Sequence, residues 1–242
     1  MKKKKILIPS IIIGLVLALF AAFLIFVNTD KYNADETALS AAVSDSEVTV
    51  TKENGRMVFT PKSYDDGLIF YPGAKVEYSA YAPLMKEIAK KDILCIIVEM
   101  PFDLAVFDIN AANSVKEEYP LVRHWYIGGH SLGGGIASSY ADKHRDDLEG
   151  LILLAAYTTS DLRDSSLNVI SIYGSNDQVL NMQKYKDNYS FLPSNTKELV
   201  IKGGCHSFFG SYGAQKGDGI PEISADEQIR QTADFIEDNI NH

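Results

Sequence analysis

The strongest constraint on how this chain can fold is Gly128-Gly129-His130-Ser131-Leu132-Gly133-Gly134-Gly135, because of what lies on either side of it. An apolar run, His124-Trp125-Tyr126-Ile127, enters the cluster, and a helical pattern leaves it through Ile136, Ala137, Tyr140 and Ala141. Strand, tight turn carrying a serine, then helix is the setting in which Gly-x-Ser-x-Gly forms a nucleophile elbow. Such a turn holds its central residue in a strained backbone conformation, so the residues two positions either side must let strand and helix close up. Here both are glycine, Gly129 and Gly133. A bare Gly-x-Ser-x-Gly also fits an ordinary turn; the flanking strand and helix select the elbow.

The same alternation runs through the chain. Glu47–Thr51 and Arg56–Thr60 read as a hairpin about Glu53-Asn54-Gly55, and Asn-Gly is the strongest short hairpin signal. Gly67–Tyr71, Ile93–Val98, Trp125–Ile127, Leu151–Ala156, Val169–Tyr173 and Leu199–Ile201 follow as strands. Most are apolar on both faces, which belongs to a sheet covered on both sides. Helical stripes fall at Leu84, Met85, Ile88 and Ala89, at Ile109, Ala112 and Val115, and at Ile229, Ala233, Ile236 and Ile240. Ser224-x-x-Glu227 opens the last of these as a capping box. The fold class is therefore α/β, with a mostly parallel, doubly covered sheet.

The amino terminus stands apart. Lys2–Lys5 precede Ile6–Val27, 22 residues without a charge, and a helix of that length crosses roughly 30 Å of hydrocarbon. Residues 1–27 are predicted to be cytoplasmic lysines plus a transmembrane signal-anchor, with everything after Val27 outside the cytoplasm. Secretion after signal cleavage is the alternative, and Ala21-Ala22 only poorly resembles a cleavage site. Residues 28–45 show no sustained apolar periodicity and are expected to be a flexible linker, leaving 46–242 as the catalytic domain. Without the four leading lysines the chain has 19 basic and 32 acidic residues, a formal charge of −13. That argues against nucleic acid as a partner. Two cysteines, Cys95 in an apolar run and Cys205 beside His206, do not make a disulfide framework.

A serine hydroxyl is a weak nucleophile until a base takes its proton, and the base needs an acceptor to hold its tautomer. Such partners follow the serine on loops after later strands, acid first and base second. The strand ending at Tyr173 runs into Gly174-Ser175-Asn176-Asp177, and the strand ending near Ile201 runs into Gly203-Gly204-Cys205-His206. Ser131, Asp177 and His206 are the candidate nucleophile, acid and base. Asp177 also suits a turn or helix cap, and Asp161 and Asp164 are its rivals. Of the other histidines, His124 heads a strand, His130 is the variable residue of the elbow, His144 ends a helix and His242 is terminal. An oxyanion hole needs two backbone donors. Leu132, after the nucleophile, supplies one; Tyr71-Pro72-Gly73-Ala74-Lys75 supplies the other, from Ala74 or Lys75, with Ala74 preferred. Gly73, Lys75 and Phe208 are candidate substrate contacts, with Phe209, Tyr212 and the loop Phe102–Phe107 bounding the site. No clustered metal-ligand set and no phosphate-binding glycine motif occurs, so neither metal nor cofactor is expected.

Gly129-His-Ser-Leu-Gly133, Tyr71-Pro-Gly-Ala74, Gly174-Ser-Asn-Asp177 and Gly204-Cys-His206 together resemble the α/β-hydrolase superfamily. Ile69–Val76, Phe209–Gly213 and Gly217–Gly219 narrow the likeness to the compact bacterial group described as dienelactone-hydrolase-like. Dienelactone hydrolases use a cysteine nucleophile where this chain has serine, so lactone chemistry is not implied. The resemblance implies an α/β-hydrolase fold over residues 47–241 and carries Ser131, Asp177 and His206 as its triad. Tyr157–Asn168 is too short for the large lid of lipases. The expected activity is hydrolysis of an ester or related acyl bond of a small-molecule or lipid-like substrate. Acyl transfer by the same triad, or non-catalytic binding on a hydrolase scaffold, are the alternatives.

Overall fold

The computed structural model describes residues 4–240, and their side chains from residue 11 onward. Two compact units divide the chain, Met1–Lys31 and Tyr32–His242. The first is one helix, α1 (Lys4–Asn28), whose segment Ile11–Asn28 has a mean hydropathy of 2.9. Its apolar side chains, among them Ile11, Leu15, Leu19 and Ile25, are exposed around the helix. Lys2 and Lys3 lie outside the described residues.

The second unit is built on one eight-stranded sheet in the order β1-β2-β4-β3-β5-β6-β7-β8. The strands are β1 (Thr49–Glu53), β2 (Arg56–Thr60), β3 (Asp66–Tyr71), β4 (Ile93–Val98), β5 (His124–His130), β6 (Gly150–Leu154), β7 (Asn168–Gly174) and β8 (Lys197–Ile201). β1 and β2 run antiparallel, as do β2 and β4; all other pairs are parallel. The hairpin closes through Asn54 and Gly55, both at positive φ (50° and 69°), the geometry that matches the twist of paired strands.

Strand alternation sends Leu68, Phe70, Ile97, Ile152 and Ile172 into one core and Ile69, Tyr71, Ile96, Leu151 and Leu153 into the other. The first core is covered by α3 (Ala82–Ala89) and α7 (Ala225–Asn239), the second by α4 (Ala111–Glu118) and α5 (Leu132–Lys143). Ser224 caps α7 by accepting from the Glu227 amide at 3.1 Å. The Glu227 carboxylate pairs with Arg230 and Gln231.

The expected linker departs from the structure. The second unit begins at Tyr32, and residues 36–41 form α2 (Glu36–Ala41), capped by Asp35, with Ala38 fully buried. Tyr32 bridges to Val76, Asp35 donates its amide to Ser211 O at 2.9 Å, and Ala34 donates to Glu77 Oε2 at 3.0 Å. A six-residue helix that buries one alanine leaves no periodic signal, which is why the segment reads as linker. A further helix, α6 (Met182–Tyr189), buries only Tyr185 and is silent for the same reason.

Register decides where function can sit. Tyr71 pairs with Gly129, His130 with Leu154, Leu154 with Ile172, and Gly174 with Ile201. The carboxyl ends of β3, β5, β6, β7 and β8 therefore finish along one edge, where ligands of open α/β sheets gather.

Candidate active site

Ser131 sits where β5 breaks into α5, with φ 53° and ψ −121°. A non-glycine residue at positive φ costs of order 1–3 kcal/mol and needs surrounding structure to hold it. Its amide is tied to Leu154 O at 2.9 Å, and its carbonyl accepts the first helical bond from Gly135 at 3.2 Å. The small flanking residues prove necessary on steric grounds. A Cβ on Gly129 would lie 2.5 Å from the backbone of Gly133, and one on Gly133 would lie 2.2 Å from Tyr71 O and 2.3 Å from Pro72 O. The elbow is thus wedged against the loop that follows β3.

The loops after β7 and β8 are laced together. Asn176 donates its amide to Gly204 O at 2.9 Å, and Gly203 donates to Ser175 Oγ at 2.8 Å. Across this seam Asp177 Oδ2 meets His206 Nδ1 at 2.8 Å, both side chains nearly or fully buried. The carboxylate oxygen accepts, so the imidazole proton sits on Nδ1 and Nε2 is the basic nitrogen. Nε2 is itself buried and has no hydrogen-bond partner among the described residues. An orphaned buried polar atom costs about 1–3 kcal/mol. Asp177 Oδ1 meanwhile accepts the amides of Val179 (2.9 Å) and Leu180 (2.8 Å), so the residue is also the turn-former its sequence context suggested.

Asp218 is a residue that strand-end reasoning does not find. Its Oδ1 accepts from the His206 amide (3.1 Å) and the Gly219 amide (2.8 Å), and its Oδ2 accepts from the Ser207 amide (2.8 Å). Partial burial works to raise its pKa, but those amides outweigh it, and the carboxyl is held below its ordinary value. The carboxylate braces the histidine loop from twelve residues away. Gln228, fully buried, clamps the same loop by accepting from the Cys205 amide (2.9 Å) and donating to the Cys205 carbonyl (2.8 Å). Cys205 and Cys95 are both buried and free.

The loop after β3 leaves one amide unused. Gly73 donates to Tyr81 Oη at 3.0 Å and Lys75 donates to Asp103 O at 2.8 Å. Among the described residues neither the Ala74 amide nor the Leu132 amide at the start of α5 finds an acceptor. A cleft of about 250 Å³ opens at Ser131, walled by Leu132, Ala155, Tyr157, Thr159, Val179 and Leu180. Gly73, Lys75 and Phe208, expected as substrate contacts, do not line it. Gly73 is buried with its amide spent, and Lys75 lies beyond the turn at φ 60°. Phe209 and Tyr212 are core residues rather than site walls, whereas Phe102 and Phe107 are exposed. Asp161 pairs with Arg163 on the surface and Asp164 is exposed, His124 meets Asp66, and His144 stacks on Tyr140. His242 lies outside the described residues.

Residues 67–230, well over half of the chain, match the model of the alpha/beta hydrolase family. The chain belongs to the alpha/beta hydrolase family. Among solved structures it is similar to an esterase from the hyperthermophilic archaeon Pyrobaculum calidifontis, at 15% identity and a TM-score of 0.62, covering 83% of this chain and 88% of that one. It is also similar to a predicted CIB-like hydrolase from Thermoplasma acidophilum (17% identity, TM-score 0.58, 79% and 100% covered). A third is Est1E from Butyrivibrio proteoclasticus (14% identity, TM-score 0.57, 81% and 99% covered). No curated protein sequence matches the chain. At these identities the likeness establishes the α/β-hydrolase fold. In this α/β-hydrolase the segment between β6 and β7 holds no helix.

Proposed function

We propose that the chain is a serine hydrolase that cleaves a carboxylic ester or related acyl bond, held to the membrane by α1 with the catalytic unit outside the cytoplasm. The observation that carries this reading is His206: Nδ1 is fixed by Asp177 while Nε2 is buried and unpartnered among the described residues, at the same edge of the sheet as a serine in a strained elbow. Ser131 Oγ attacks the acyl carbonyl carbon as His206 Nε2 takes its proton. The amides of Leu132 and Ala74 receive the oxyanion. Collapse breaks the bond to the leaving oxygen, which departs with the proton from Nε2. Water, deprotonated by the same nitrogen, then frees the acyl group as a carboxylic acid and restores Ser131. Asp177 holds the ring and stabilises the imidazolium without taking the proton.

The cleft of about 250 Å³ lies below the 300–1,000 Å³ common for ligand pockets, and its walls are mainly apolar. Short-chain acyl groups suit it, with activity falling as the chain lengthens and no activation at a lipid interface. Membrane attachment is supported by α1, whose 25 residues span about 37 Å at the helical rise. Its exposed apolar surface all round suits lipid, and the four leading lysines favour the cytoplasm for its amino terminus. The test is esterase activity of the full chain in detergent micelles. Activity on short-chain nitrophenyl esters that disappears in Ser131→Ala supports the reading; equal activity in that variant ends it.

A further inference from the structure

Behind the site runs a hydrogen-bond chain whose direction is fixed by chemistry. His130, the variable residue of the elbow motif, is buried, and its ring centroid lies 4.5 Å from that of His206. His130 Nε2 is 3.1 Å from the backbone carbonyl oxygen of His206. His130 Nδ1 is 2.8 Å from Tyr81 Oη. Tyr81 Oη also lies 3.0 Å from the Gly73 amide. A carbonyl oxygen only accepts, so in the neutral ring the proton belongs to Nε2. Nδ1 is then a bare acceptor and the Tyr81 hydroxyl must donate to it, which leaves the phenolic oxygen to accept from Gly73. The chain reads Gly73 N–H to Tyr81 O–H to His130, then His130 Nε2–H to the carbonyl of His206.

Three loops are joined by that sequence: the one after β3 that carries Ala74, the elbow after β5, and the one after β8 that carries His206. The parts fit without slack. A Cβ on Gly73 would lie 2.8 Å from His130 Nδ1 and 2.9 Å from Tyr81 Oη. Tyr81 is fully buried, its ring 5.0 Å from Phe70 and 6.5 Å from Tyr212. With the Gly73 amide drawn to Tyr81 and the Lys75 amide drawn to Asp103 O, Ala74 is left as the free donor of its turn.

We infer that Tyr81 and His130 are positioning residues, which set the base on the His206 loop at a fixed distance from the oxyanion donor on the Ala74 loop. This rests on the serine-hydrolase reading and extends it. Neither side chain lines the cleft; His130 acts through the backbone carbonyl of His206, and Tyr81 through the amide of Gly73, the residue before Ala74. One half of the relay holds the peptide on which His206 rides. The other half turns the Gly73 peptide so that the next amide stays unspent.

The test uses the full chain in detergent with p-nitrophenyl acetate, and kcat is expressed per active site titrated with a fluorophosphonate. Tyr81→Phe keeps the ring and its packing but deletes both hydrogen bonds. Misplacement of a catalytic group by about 1 Å can cost on the order of a hundredfold, so kcat should fall roughly ten- to a hundredfold with KM within about threefold. His130→Gln can still donate from the Nε2 position and should recover kcat toward wild type. His130→Asn, too short to reach the His206 carbonyl, should not. If Tyr81→Phe and His130→Asn keep kcat per titrated site within about threefold of wild type and lose only thermal stability, the inference is overturned. The serine reading survives that result provided Ser131→Ala is inactive, whereas activity in Ser131→Ala defeats the serine reading whatever the other variants do. Nitrogen-15 NMR of histidine-labelled wild-type protein checks the relay without mutation: Nε2 protonated and Nδ1 bare at His130 supports it, and the opposite tautomer refutes it.

Discussion

The two ends of the central sheet offer cavities of opposite character. At the amino ends of β3, β4 and β5 lies the larger one, about 470 Å³, lined by Ser63, Asp65, Asp66, Lys91, Arg123 and His124 among others. Charge there is met locally. Arg123 forms a two-point pair with Asp65, His124 meets Asp66 at 3.1 Å, and Lys91 reaches Asp234 at 2.8 Å and Glu237. At the carboxyl ends the cleft is only about 250 Å³, yet at that edge Ser131 is strained and His206 Nε2 is buried without a partner among the described residues. The site proposed for catalysis is marked by what the fold leaves unsatisfied, not by how much room it leaves.

Removing the orienting acid attacks that difference most directly. Asp177→Asn should reduce kcat by about 10³–10⁴-fold, since an amide facing Nδ1 favours the wrong imidazole tautomer. Steady-state hydrolysis of p-nitrophenyl acetate measures it, and a loss below tenfold would mean that Asp177 is the loop-former alone. Gly133→Ala drives a methyl into the carbonyls of Tyr71 and Pro72. Overpacking of this kind costs about 1–3 kcal/mol, more where backbone is the obstacle, and should appear as a clear drop in the urea midpoint.

A third prediction concerns pH. Burial first, and the neighbouring His206 second, push the His130 pKa well below its ordinary value of 6.5. The unfolded chain takes up that proton as pH falls below about 6.5 while the folded chain resists it. Stability contributed by neutral His130 is therefore complete above that pH and lost progressively below it. The urea midpoint of wild type should approach that of His130→Asn between pH 7.5 and pH 5, and a gap that widens on acidification would contradict the assignment. Smallest of all is the expected effect at the other end. Arg123→Ala breaks an exposed ion pair worth about 0–1 kcal/mol, so activity should stay within twofold. A tenfold loss there would undo the contrast between the two ends.

How much of this was legible in the sequence depended on the range of the contacts. β3 to β7 lie where apolar runs marked them, because a doubly covered strand must be apolar throughout; the mostly exposed β1 is placed by the turn at Asn54-Gly55, and β8 by the short run Leu199–Ile201. That Asp177 and His206 would meet could be read because each follows a strand end in order, and register brings such ends together. Residues that serve a distant backbone left no such mark. Asp218 braces amides from His206 to Gly219, Tyr81 reaches a histidine 49 positions away, and His130 occupies a motif position that tolerates many residues. The cleft walls Val179 and Leu180 were hidden likewise, since their place depends on how Asp177 turns the loop through their own amides. At the amino terminus α2 and the boundary at Tyr32 rest on one buried alanine and a few hydrogen bonds to distant loops rather than on a periodic stripe.

The central claim is that Ser131 is made reactive by His206. Fluorophosphonate labelling of the full chain, followed by peptide mapping, tests it most directly. The account predicts one phosphonylated residue, Ser131, at a rate that collapses in His206→Asn although the serine and its elbow remain. Ester hydrolysis by a chain in which Ser131 stays unlabelled, or labelling of Ser131 at an undiminished rate in His206→Asn, would contradict it.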